Sequence, residues 1–71
     1  MNYKKGGEEM TLGERMVSYR AEHKLSQRQL GEIIGESLNT IFRCERGDNM
    51  HFANRIRIEK KMNYLEEKEN V

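Results

Sequence analysis

The stretch SQRQLGEIIGESLNTIFRCERG, residues 26–47, decides the fold. Ser26 followed three residues later by Gln29 is a capping box, so a helix starts there. Leu30, Ile33 and Ile34 give that helix an apolar stripe, and Gly35 is placed to end it in a left-handed turn. A helix of about two and a half turns is marginal alone and must be held by packing. A second helix follows almost at once. Ser37 caps it, residues 38–46 form it and Gly47 closes it. Ile41 and Cys44, at i and i+3, predict its buried face.

Gly31 lies in the middle of the first of these helices. An interior glycine costs about 1 kcal/mol of helix stability relative to alanine, so its presence needs a reason. Close approach supplies one: the second helix is expected to cross over residue 31, where a side chain larger than methyl clashes. Gly35 provides the positive φ of a sharp turn, and Ile41 plugs the angle between the helices. Two short helices, a tight turn and a small residue at the crossing describe a helix-turn-helix unit.

Outward from that unit the chain stays helical. Thr11 and Glu14 form another capping box, followed by a core stripe of Leu12, Met16 and Tyr19. The helix breaks near His23, Lys24 and Leu25. After a turn at Gly47, Asp48 and Asn49, a last helix is expected over residues 50–65. Its apolar residues Phe52, Ile56, Ile58, Met62 and Leu65 are spread over more than one stripe. Proline is absent and no alternating strand pattern occurs, so the reading is all-α. Residues 1–10, with Gly6 and Gly7, read as a flexible arm, 11–65 as the domain and 66–71 as an acidic tail.

At 71 residues there is room for one domain. The single cysteine, Cys44, rules out an internal disulfide and argues against a cysteine-based zinc site. His23 and His51 are isolated, lack metal-ligand spacing and read as surface residues. No metal and no cofactor are expected. No apolar run is long enough for a membrane span and no signal-peptide pattern opens the chain, so the expectation is a reduced, cytoplasmic domain without membrane contact. No nucleophile–base pair or phosphate loop is visible, which argues against an enzyme. Net charge is only +1, but residues 11–63 hold ten Lys/Arg against seven Asp/Glu, and the final eight residues hold three Glu against one Lys. A basic face on a near-neutral protein is compatible with that segregation, as is ordinary solvated surface.

Residues 12–47, with GERMVSYRAEHKLSQRQLGEIIGESLNTIFRCERG as their body, resemble the phage-repressor and Cro type of helix-turn-helix domain, the Xre-like family. The resemblance implies a compact, lambda-repressor-like bundle of four or five helices that binds operator DNA, commonly as a dimer. Gln27 would then bond a backbone phosphate beside the amides of its helix N-terminus. Ser37 would cap the reading helix and touch phosphate, as would Thr40 and Arg46. Leu38, Asn39 and Arg43 would face the major groove. Arg43 suits guanine, Asn39 adenine and Leu38 a thymine methyl. Arg20 and Glu45 would form a largely buried ion pair between the first and third helices.

The chain departs from the family at several positions. Glu36 stands where an apolar residue is usual, which implies a thinner core or an outward-turned carboxylate. Cys44 replaces a larger aliphatic and reads as a core filler. Phe42 stands where a small or polar residue is usual. The similarity fades after Gly47, where Arg55, Arg57, Lys60 and Lys61 read either as a solvated face or as flanking phosphate contacts. The function expected is a sequence-specific regulator of transcription, an operator-binding repressor that pairs as a homodimer on palindromic double-stranded DNA. Phe42, Ile33, Tyr64 and Leu65 are its candidate dimer-surface residues. The alternative is a protein-interaction module on the same fold, such as an antitoxin or a regulator sequestered by a partner protein.

Overall fold

The computed structural model describes residues 10–69, and the arm expected over residues 1–10 lies almost wholly outside them. Four helices follow one another: α1 (Leu12–His23), α2 (Gln27–Ile34), α3 (Leu38–Arg46) and α4 (Phe52–Glu69). There is no strand among the described residues, and the protein is an all-helical bundle. No helix among these residues is long and apolar enough to cross a membrane.

The first three helices are bounded by their own side chains. Thr11, Ser26 and Ser37 each accept a hydrogen bond from the backbone N–H three residues on. At α1 and α2 the box is reciprocal, with Glu14 and Gln29 accepting from the cap N–H at 2.9 Å and 2.8 Å. Each of the three helices ends on a left-handed residue, namely Lys24, Gly35 and Gly47. The N–H groups of Leu25, Glu36 and Asp48 then reach back to the carbonyls of Arg20, Gly31 and Arg43. These bonds satisfy carbonyls that a helix end leaves open.

Every helix contributes to one core. Its fully buried large side chains are Met16 from α1, Leu30 from α2, Ile41 from α3, and Ile58 and Met62 from α4. Tyr19, Ile34, Cys44 and Leu65 surround them, and Leu12, Leu25 and Met50 pack against the edge. Burial raises the pKa of the Cys44 thiol, as suits a core filler. Three expectations are corrected here. Ile33 is exposed, so the inner face of α2 is Leu30, Gly31 and Ile34. Leu65 is buried and is not a free surface residue. The last helix starts at Phe52, itself exposed, and runs to Glu69, so residues 66–69 are helix rather than tail.

The extension of α4 has a physical cause. Arg15 of α1 holds Glu66 through Nε and Nη2, and His23 lies 3.7 Å from Glu69. The Glu66 carboxylate, expected to trail in solvent, is thus anchored on α1.

Close backbone approach fixes how α3 sits. A Cβ on Gly31 would stand 2.5 Å from the Glu36 carbonyl oxygen and 3.4 Å from Ile41 Cγ1. The tightest neighbour is therefore the turn, not the crossing helix, and even a methyl is too large. Gly13 plays the same part on the other side of α3, where a Cβ would collide with the Cys44 carbonyl oxygen.

Candidate nucleic-acid interface

Helix α3 leaves the three-residue turn at Gly35, Glu36 and Ser37 and turns Ile41 and Cys44 to the core. Helical periodicity then forces Leu38, Asn39, Phe42, Arg43 and Arg46 outward, and all five are exposed. The three residues expected to read bases, Leu38, Asn39 and Arg43, therefore share the outer side of one helix. Leu38 is an aliphatic side chain left 40% exposed at the first position of α3.

The residues expected to bind phosphate have partners within the fold. Gln27 Nε2 donates to Glu45 Oε1 at 2.9 Å. Ser37 Oγ accepts from the Thr40 N–H at 3.1 Å and donates to Thr40 Oγ1 at 2.9 Å. Arg46 donates to both oxygens of Asp48, at 3.0 Å and 2.6 Å. Its guanidinium also lies 5.0 Å from the centre of the Phe42 ring, a cation–π distance. Arg43 Nε stands 3.6 Å from Asp48. Hydrogen bonding from Arg46, then the nearby positive charges, lower the Asp48 pKa, so the carboxylate is held charged beside both arginines.

Arg20 and Glu45 pair as the resemblance implied. Nε and Nη2 of Arg20 each donate to one Glu45 oxygen at 2.7 Å. Arg20 Nη1 donates to the Leu25 carbonyl at 3.1 Å. The Glu45 side chain is 6% exposed and that of Arg20 22%. With Gln27 added, this cluster joins α1, the start of α2 and the C-terminal half of α3. It ties the flank of α3 to the two preceding helices.

Glu36 corrects one of its two expected placements. It is not among the core side chains, yet it does not turn outward. Its side chain is only 6% exposed, gripped by Arg57 Nε and Nη2 at 2.8 Å and 2.9 Å and by Lys61 Nζ at 2.7 Å. The bond from Arg57 is the largest of the causes that lower its pKa. Arg57 and Lys61 accordingly hold the turn to α4, while Arg55 and Lys60 remain exposed. Beside α3 lies a polar cleft of about 280 Å³ whose lining includes Thr40, Arg43, Asp48, His51, Asn54 and Arg57. In the sequence Asp48 reads only as a turn residue, His51 only as an isolated surface residue, and Asn54 carries no reading at all. Asp48 was legible in principle, because a carboxylate two residues past the helix end lies within reach of cations in its last turn. His51 and Asn54 carry no such local signal.

Among the described residues no group of three or more His, Cys, Asp or Glu side chains is placed to hold a metal ion. Comparison with protein families, with curated proteins and with solved structures finds no match to the chain.

Proposed function

We propose that this protein is a sequence-specific, double-stranded DNA-binding regulator of transcription, a cytoplasmic repressor that occupies a palindromic operator as a homodimer. One observation carries the reading: α3, braced at its flank by Arg20, Glu45 and Gln27, presents Leu38, Asn39 and Arg43 together on its free side. In this reading α3 enters the major groove and these three side chains meet base edges. Gln27, Ser37, Thr40 and Arg46 fix the register on the phosphates, with Arg46 exchanging Asp48 for a phosphate oxygen. Each protomer presents one such helix face. Successive major grooves on one DNA face lie about 34 Å apart, so reading two of them takes two protomers.

Selection of bound duplexes from a random pool tests this. A palindromic consensus with half-sites about 10 bp apart, centre to centre, is the expected result. Arg43→Ala should relax preference at one position, at a cost of about 1–3 kcal/mol. Unaltered specificity in that variant would remove Arg43 from the reading face, and a monomer on DNA in sedimentation would remove the dimer.

The contact of Asp48 with Arg43 and Arg46 favours a second reading. Two cations of the exposed face already have a carboxylate beside them, and a protein partner demands less free positive charge than a phosphate backbone does. Affinity for random duplex should fall steeply with salt if several phosphates are neutralised. No binding at low salt would favour the protein-interaction module, an antitoxin or a sequestered regulator.

A further inference from the structure

The pairing of α2 with α4 creates a second surface, which shares no residue with the outer side of α3. Its floor is the edge of the core, Ile34 and Leu65. Its walls are Ile33 and Tyr64, which are 50% and 63% exposed. The groove measures about 400 Å³, within the range in which protein clefts accept anchoring side chains.

All the charged residues lining it are lysines: Lys60, Lys61 and Lys68. Lys61 is engaged by Glu36 at 2.7 Å. Lys60 and Lys68 form no salt bridge with any carboxylate among the described residues. The Lys68 ammonium instead lies 5.6 Å from the centre of the Tyr64 ring. Lys60, Tyr64 and Lys68 are spaced four apart on α4 and form one row about 12 Å long, with a cation at each end of the aromatic wall.

We propose that this groove docks an acidic amphipathic helix of a partner protein. Apolar side chains of such a helix at i, i+3 or i+4, and i+7 would fill the space between Ile33 and Tyr64. Carboxylates flanking them would meet Lys60 and Lys68 at the rim, where complementary charge sets orientation and partner choice. The same charges disfavour a second copy of this chain here, so the homodimer proposed above would pair through a surface other than Ile33 and Tyr64. Two-fold pairing through the groove would set these lysines against their own counterparts. Duplex DNA would satisfy the lysines but leave the apolar walls uncovered.

The test is a titration of the isotopically labelled full chain with a synthetic helical peptide of about 14 residues, leucine on one face and glutamate on its flanks, followed by amide NMR. A control peptide carries lysine in place of glutamate. Amides of α2 and α4 around Ile33 and Tyr64 should shift, with the control bound at least about tenfold more weakly. A Lys60→Glu, Lys68→Glu double variant, altered only at exposed positions, should reverse that preference while keeping its circular dichroism. Equal affinity for the two peptides, shifts elsewhere on the surface, or none at about 1 mM peptide would overturn the proposal. So would a concentration-dependent dimer that Tyr64→Glu dissociates, or a random-sequence duplex that displaces the peptide from the same amides. None of these outcomes depends on whether α3 reads DNA.

Discussion

Two largely enclosed carboxylates, Glu45 and Glu36, tie distant helices together, and they differ in what their removal leaves behind. Glu45 is the more enclosed member of its pair with Arg20. Arg20→Ala would strand it with only the Gln27 amide, and a buried charge without its partner is costly. Glu45→Gln would leave Arg20 near water and still bonded to the Leu25 carbonyl. Urea denaturation should therefore show a loss of about 3 kcal/mol for Arg20→Ala and about 1 kcal/mol for Glu45→Gln. Equal losses would show that desolvation of the stranded charge is not what decides. Glu36 is expected to govern the acid limb of stability. Its pKa in the folded state lies below the usual 4.5. Its contribution is therefore complete above that value and disappears as pH falls through the lower, folded one. Glu36→Gln should lower the thermal midpoint at neutral pH and lessen the drop between neutral and acid conditions. An unchanged profile would mean that Arg57 and Lys61 add nothing through this carboxylate. The sequence gives no local hint of this cluster, because its cations lie 21 and 25 residues further along the chain.

Elements whose ends are written locally were legible; those fixed by distant partners were not. Thr11, Ser26 and Ser37 announce three helix starts, and Gly35 and Gly47 announce two stops, because each device acts within one turn. Helix α4 lacks such punctuation. His51 precedes it, its carbonyl accepting from the Arg55 N–H, and its last turn is secured by residues of α1 far away in sequence. Ile33 and Ile34 show the same limit in another form, since periodicity finds a stripe but not its edge. Gly31 was recognised as a close approach, yet its tightest neighbour is the carbonyl of Glu36. Gly31→Ala should consequently destabilise by about 2 kcal/mol even though alanine favours the helix by about 1 kcal/mol. A neutral or stabilised variant in chemical denaturation would show that the turn yields without cost.

At the scale of the whole molecule the bundle behaves as one unit, since α4 supplies Ile58 and Met62 to a core in which each of the other helices places a single large, fully buried side chain. A chain cut after Gly47 should accordingly show no cooperative thermal transition, and a sharp one would mean that the first three helices close a core unaided. The outward placement of Leu38, Asn39 and Arg43 was readable from α3 alone, where Ile41 and Cys44 fix the inner side, and the all-α class from the lack of any alternating strand pattern along the chain. The engagement of Gln27 by Glu45 and of Arg46 by Asp48 was not, because spacing says which side chains share a face and not which neighbours they choose. The distribution of the core over all four helices also sets an order of events in the cell. Chains are made from the N-terminus, so the ribosome finishes α3 before it begins the helix that supplies Ile58 and Met62 to the core. Until Met62 emerges, the nascent chain has its outward side chains but no rigid body to aim them. A rigid support for the outward side of α3 is thus absent during translation until α4 is made.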